Sequence, residues 1–344
     1  MTKFKPFIVL AALLFAVTLV VPALLVIPFT EGKVSGKLGE ELKTETKKTE
    51  TAAEIPQGPA IEVGVYRLAQ KKLETVPLEE YIVGVVASEM PAEFEEEALK
   101  AQALAARTFI VKQMMNKDSV ELPEGALVYD TVTHQVYKNE NELKQIWGSD
   151  YKWKIQKVKD AVNSTRGQIL TFDGSPITAS FFSTSNGFTE NSEAIWPNSV
   201  PYLKSVESKW DLESPKFNGR EVLTVQDFER KLGVNLPSDS TIGTVTERTA
   251  GQRVAKVEIN GKTVSGQDIR EKLGLKSTDF TWERKGENII INTQGYGHGV
   301  GMSQYGANGM AAEGKSYKEI VAHYYKGVEI AASDQLLTKV TAKK

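Results

Sequence analysis

Cysteine is missing from the 344-residue sequence, which excludes a disulfide framework, a thiol nucleophile and zinc sites built on thiolates. Histidine is scarce. His134, His298 and His323 are the complete set, and their separations match no recognised metal spacing. An excess of one charge is lacking too. The 42 Lys and Arg against 44 Asp and Glu leave a formal net charge of −2, without the basic surplus that a nucleic-acid-binding chain requires. No Gly-x-Ser-x-Gly elbow occurs, which argues against a serine hydrolase. No fixed-period repeat is present, so a solenoid is not expected. With 41% hydrophobic residues, the chain can still bury a sizeable core.

What is present is unevenly spread. Residues 7–29 form a run of 23 without a charge, and as a helix the run spans about 34 Å, enough for a bilayer core. Lys3 and Lys5 precede it, whereas Glu31 and Lys33 beyond it offset each other. The positive-inside tendency therefore predicts a cytoplasmic tip at 1–6, a single transmembrane helix at 7–29 and an extracytoplasmic remainder. A cleaved signal peptide is the alternative, but it would have a shorter apolar region and a small-x-small cleavage site. Residues 30–57 turn abruptly to Lys, Glu and Thr. They offer too little apolar surface to offset ordering entropy and read as a flexible charged stalk. A folded ectodomain over 58–344 is expected to follow.

Within the ectodomain, alternation at 60–68 predicts a strand. Pro77, Glu79 and Glu80 open a helix that stops before Pro91, because the residue preceding a proline is pushed out of the helical region. A second helix is predicted over 94–115, acidic in its first turn and rich in alanine. Strands are expected at 167–172, 177–183 and 288–293, a hairpin over 254–264 turning at Asn260-Gly261, and a short helix at 267–273. A capping-box pattern at 316–319 opens a last helix. Strands and helices intermix without a βαβ rhythm. The expected fold class is α+β, a single-pass anchor followed by a mixed α+β domain.

Three places carry residues suited to chemistry. Glu89 is the last polar residue of an apolar helix, next to a proline break. There the negative end of the helix dipole and partial burial both raise a carboxyl pKa toward that of a general acid; a plain surface glutamate is the alternative. Arg107 stands among alanines, where it serves either a structural salt bridge or an anionic substrate group. The densest signal is residues 295–307, with glycines at alternate positions that let backbone or ligand approach closely. No G-x-G-x-x-G register fits it. His298, Ser303, Gln304 and Tyr305 supply hydrogen-bonding groups around that opening, and a tight structural turn is the alternative. A third cluster, Ser183 to Gly187 with Trp196, Tyr202 and Lys204 downstream, has the hydroxyls and aromatics of sugar recognition or of a polar turn. His323, beside two tyrosines, reads as a packing residue.

The segment SEMPAEFEEEALKAQALAARTF within residues 78–109 and the segment GYGHGVGMSQYGANGMA at 295–311 together resemble the stage II sporulation protein D (SpoIID) family, which is related to the amidase enhancers. The resemblance extends over roughly residues 61–330. It implies a lytic transglycosylase that cleaves peptidoglycan glycan strands stripped of their stem peptides during forespore engulfment. Glu89 matches the family's catalytic glutamate, and Arg107, Tyr202, Lys204, His298 and Gln304 fall at positions like the family's cleft. Arg107 or Lys204 would hold a lactyl carboxylate, and His298 or Gln304 an N-acetyl group. The resemblance also implies partners: a peptidoglycan amidase that strips the peptides first and a polytopic membrane protein that holds both. Some relatives bind zinc through Cys and His. This sequence keeps His134 but has no Cys, so neither a metal nor another cofactor is expected. The competing reading is a non-catalytic glycan-binding activator of the amidase.

Overall fold

The computed structural model describes residues 61–115, 122–239 and 241–341. The predicted tip, membrane span and stalk lie outside the described residues, among which no helix is long and apolar enough to cross a membrane. The architecture is mixed α+β, combining helices with small sheets of two or three strands.

Strand β1 (Glu62–Arg67) pairs antiparallel with β2 (Lys72–Pro77) and parallel with β3 (Val128–Tyr129). Helix α1 (Leu78–Glu89) follows directly, burying Leu78, Tyr81, Ile82, Val85 and Val86 at helical spacing, each worth about 1.5–3 kcal/mol of transfer free energy. It ends where expected, because Met90 before Pro91 is extended (φ −129°, ψ 135°). Helix α2 (Glu96–Met115) is buried on all sides, and Ala98, Ala101, Ala103, Ala105 and Ala106 have no exposure. Small side chains let α1, α4 (Tyr151–Ser164) and β4 (Gln168–Phe172) close on it. Its C-terminal helical neighbours are α7 (Gln304–Ala312) and α8 (Tyr317–Tyr324). The alanine-rich segment is thus the axis of the first hydrophobic core.

Arg107 belongs to that axis. Its Nε and Nη2 donate to Glu79 at 3.0 and 2.7 Å, and further bonds reach the carbonyls of Val162 and Gln168 at 3.2 Å. The side chain is fully buried, so the expected substrate role is corrected: its donors are committed inside the core. Arg67, at the end of β1, ties Asp130 at 2.9 Å and Glu142 on α3 (Glu140–Trp147). It thereby fastens both ends of the loop 130–139.

A second core, unforeseen in the sequence, is built within residues 225–291 from α5 (Val225–Leu232), α6 (Gly266–Leu273) and the buried face of β12 (Asn288–Gln294), with β7 (Asn218–Thr224) bordering it through Leu223. β11 (Phe280–Lys285) pairs with β12, which pairs with β7. β8 (Thr244–Arg248), β9 (Val254–Ile259) and β10 (Lys262–Ser265) make a separate sheet. The predicted hairpin is β9–β10, and Asn260 and Gly261 take the positive φ (46° and 77°) that its two-residue turn needs. The predicted strand at 177–183 shrinks to β6 (Phe181–Phe182), parallel to β13 (Met302–Ser303). The reason is that Thr178 donates to Tyr202 Oη and the Ser180 carbonyl accepts from Met302 and Tyr325, which leaves no regular ladder. Two short strands, β5 (Ser175–Pro176) and β14 (Glu329–Ala332), flank β4, and α9 (Asp334–Thr341) closes the chain.

A buried carboxylate joins the distant parts. Asp211, in a 3₁₀ turn (Lys209–Glu213), accepts hydrogen bonds from Ser185, Ser208 and Ser303 hydroxyls at 2.7, 2.6 and 2.6 Å. Ser303 is fully buried and caps α7 by accepting the Gly306 N–H. Its expected place in substrate binding is corrected accordingly. A Cβ at Gly306 would lie 2.1 Å from Tyr324 Oη and 2.4 Å from Ser208 Oγ. Gly306→Ala should therefore lower unfolding free energy by about 1–3 kcal/mol in denaturant titration, the usual cost of overpacking. Arg107→Ala should cost about 3–5 kcal/mol, because it strands Glu79 beside the core; a variant of wild-type stability would show that the guanidinium is free for other work.

Candidate active site

Glu89 closes α1 and is half-buried. Its Oε1 accepts the Val136 N–H at 2.9 Å, from the loop that Arg67 fastens. Among the described residues its Oε2 has no hydrogen bond and no cation pairs with the carboxyl. Burial pushes the pKa up, and the Val136 N–H, which favours the anion, only partly opposes it. Because the anchored oxygen must accept, a proton on this carboxyl sits on Oε2. Tyr81, from the first turn of α1, reaches Gln135 beside Val136 at 3.3 Å and is kept neutral by burial.

The glycine-rich segment meets Glu89 through α7. Gln304 donates from Nε2 to the Glu89 carbonyl at 2.9 Å and to Gln102 Oε1 at 3.4 Å. It satisfies a carbonyl at the end of α1 that has no partner within the helix. The expected N-acetyl contact from this amide is corrected, since both donors turn into the protein. Tyr305 packs edge-on against Phe94, centroids 4.9 Å apart, and Asn308 accepts the Glu95 N–H at 2.8 Å. The two sequence motifs are therefore stitched together residue by residue. Ser183 is half-buried, and its carbonyl accepts the Tyr305 N–H at 3.0 Å. Close approach needs the glycines: a Cβ at Gly301 would stand 2.0 Å from the Ser180 carbonyl oxygen.

The remaining candidates sit apart from the Glu89 contacts. His298 lies between Phe182 and Trp196, its Nδ1 accepts the Val300 N–H at 3.0 Å, and a second hydrogen bond runs to the Phe181 backbone. Burial, with Arg270 and Arg253 nearby, lowers its pKa to about 4, so it is neutral at physiological pH. Tyr202 accepts the Thr178 N–H at 2.9 Å and packs on Phe172, keeping its hydroxyl proton to donate. Lys204 is bound to Glu193 at 3.4 Å and Ser199 at 2.8 Å. His323 bonds the Glu207 carbonyl and packs on Trp210 and Tyr324. His134 Nδ1 accepts the Tyr129 N–H, and among the described residues no three His, Cys, Asp or Glu gather to hold a metal.

Sequence reasoning missed Val136 and Asp211, whose roles are set by backbone position and by distant partners. It also passed over a G-x-x-x-x-G-K-S spacing at Gly309, Gly314, Lys315 and Ser316. Gly309 lies inside α7 and Ser316 caps α8, so no strand-to-helix loop cradles a phosphate there. A cavity of about 310 Å³ lies elsewhere, lined by Glu190, Glu193, Thr249 and Gln267 among others. None of its lining residues contacts Glu89.

The raised pKa of Glu89 has a thermodynamic signature. Below the unfolded value, about 4.3 for glutamate, the carboxyl is protonated in both states, and the neutral side chain costs nothing in charge burial. As pH rises through the higher folded value, that stability is lost. Glu89→Gln should therefore have the higher melting temperature at pH 7.5 and converge on wild type near pH 4. A wild type that gains on the variant as pH rises would reverse the sign.

A profile of the family described as "Stage II sporulation protein" matches residues 66–172. "Stage II sporulation protein D" of Bacillus subtilis (strain 168) is 53% identical over 342 residues, 99% of this chain and 100% of that protein. Its counterpart in Bacillus amyloliquefaciens is 51% identical over 343 residues, again 99% and 100%. "Amidase enhancer" of Bacillus subtilis (strain 168) is 30% identical over 306 residues, 72% of this chain and 40% of that protein. The chain belongs to the stage II sporulation protein D family.

Proposed function

We propose that this sporulation protein is a lytic transglycosylase acting on peptide-free peptidoglycan strands, with Glu89 as its single acid and base. The observation that carries the reading is the setting of that carboxyl: half-buried, paired with no cation among the described residues, anchored through Oε1 and raised in pKa by burial. Glycosidases normally need two carboxyl groups, an acid and a nucleophile or base. A transglycosylase needs one, because the sugar's own C6 hydroxyl is the nucleophile. Glu89 Oε2 gives its proton to the glycosidic oxygen as the C–O bond breaks. The resulting carboxylate then takes the proton from the C6 hydroxyl as it closes on the anomeric carbon. No water is consumed, the ring product is a 1,6-anhydro sugar, and the carboxyl ends protonated as it began.

The raised pKa suits the first step, since it keeps a larger protonated fraction near neutrality than an exposed glutamate would have. The Val136 N–H suits the second, because it stabilises the carboxylate while it waits as base. Residues 7–29 supply a membrane tether that holds the domain on the outer face, where the glycan lies. An amidase that removes the stem peptides and a polytopic membrane protein that gathers both are the partners of this reading.

A second reading, a non-catalytic glycan-binding activator, draws on the likeness to the protein named "Amidase enhancer". End-group analysis separates the two. Wild type incubated with stripped strands should yield anhydro-muramic ends, with a bell-shaped pH profile, and Glu89→Gln should lower the rate at least about 10²-fold, as loss of general acid catalysis does. Stimulation of an amidase without anhydro products would favour the activator. Equal cleavage by both proteins would remove Glu89 from the mechanism.

A further inference from the structure

Tyr296 stands out in the glycine-rich segment as an exposed aromatic on a fixed backbone. Its N–H donates to the Thr184 carbonyl at 2.7 Å and its carbonyl accepts from Thr184 at 3.0 Å. On either side, Gly295 donates to the Phe217 carbonyl at 2.7 Å and Gly297 to the Lys276 carbonyl at 2.9 Å. The ring is 39% exposed. Lys276 Nζ stands 5.1 Å from its centroid, and Lys216 Nζ stands 5.7 Å from both this ring and that of Tyr305. Tyr305 in turn neighbours Gln304, whose amide holds the Glu89 carbonyl. Through Tyr305, which packs on Phe94 just beyond α1, the patch borders the segment that follows Glu89.

Among the described residues, the two lysines carry no carboxylate partner that would compete for them. Lys154, Lys204, Lys256 and Lys285 each pair with a glutamate. Among the described residues Lys216 and Lys276 pair with no carboxylate, and both are exposed. An ammonium over a tyrosine face keeps its N–H donors free for a second, anionic partner. The tyrosine face itself suits the apolar C–H face of a pyranose.

We propose that Tyr296 and Tyr305 with Lys216 and Lys276 form an anionic-sugar subsite that reads the free lactyl carboxylate of a peptide-free muramic residue. The proposal rests on the glycan reading given above and supplies its specificity. A stem peptide converts that carboxylate into an uncharged amide, so the lysines discriminate stripped from peptide-bearing strands by charge. Arg107 and Lys204, the sequence candidates for this task, are buried in the core and paired with Glu193 respectively.

The test is binding, measured in the full-length Glu89→Gln chain so that cleavage does not intervene. Calorimetric titration would use stripped strands, the same strands with their carboxylates converted to methylamides, and N-acetylglucosamine oligomers. Stripped strands should bind the parent more tightly than methylamide strands, and added salt should narrow the difference. Lys216→Ala with Lys276→Ala should weaken binding of stripped strands about tenfold, as loss of two exposed ion pairs implies. Their affinity for methylamide strands and chitin oligomers should stay unchanged. Lys216→Arg with Lys276→Arg should restore the preference, whereas Tyr296→Ala should weaken all three ligands. Unchanged affinity for stripped strands in the double alanine variant, or an equal loss for all three ligands, would overturn the proposal. If carboxylate preference is found but wild type makes no anhydro ends, the subsite stands and the catalytic reading falls.

Discussion

One buried carboxylate sets the conditions for the rest of the site. Asp211 has no exposure and no cation within salt-bridge reach among the described residues, and it is solvated instead by three serine hydroxyls. Burial raises its pKa and the hydroxyls pull the other way. Each serine comes from a different stretch of chain: the Ser183–Gly187 turn, the segment entering the 3₁₀ turn, and the N-cap of α7. Satisfying one desolvated charge therefore fixes three rotamers and three backbone positions together. Ser208 extends the network to Tyr324 at 2.7 Å, which ties in α8. α7 can present Gln304 to the end of α1 only because its own first turn is held there.

The titration of Glu89 is set by two opposed effects from different parts of the chain. The apolar packing of α1 against α2 removes water from the carboxyl, and burial is the larger influence on its pKa. The loop 130–139 returns some stabilisation to the anion through a single N–H. That loop is held by Arg67, whose guanidinium is 2% exposed and shared among Glu74, Asp130 and Glu142. Three carboxylates around one cation position the loop firmly, and they do so without bringing a positive charge to Glu89. A cation there would favour the ionised carboxyl and oppose the rise that burial causes.

Local chemistry was well legible in the sequence. The stop before Pro91, the Asn260-Gly261 turn and the Ser316–Glu319 capping box are decided within a few residues, and each element forms as read. The place of Glu89 at a helix end follows from the same local signals. Arg107 was ambiguous because an arginine among alanines looks the same whether its partner is a substrate or Glu79, and only the packing of α1 and α4 decides. Ser303 looked available because its acceptor is 92 residues away in sequence. The second core escaped notice because β7 alternates only exposed and half-buried residues, and the apolar period of α5 (Val225, Phe228, Leu232) spans just eight residues.

The glycine-rich segment also divides its own positions into two kinds. At 299 and 301 a side chain would collide with Arg253 or with the Ser180 backbone, and the same crowding recurs at 295 and 297. Variation is thereby confined to the even positions, of which Val300 is buried in the first core. His298 is held between Phe182 and Trp196 and accepts the Val300 N–H, which leaves Tyr296 as the place where the segment can be altered without rebuilding what surrounds it. A stretch that looks like the most adaptable loop in the chain has one free letter, and it belongs to an aromatic ring at its surface.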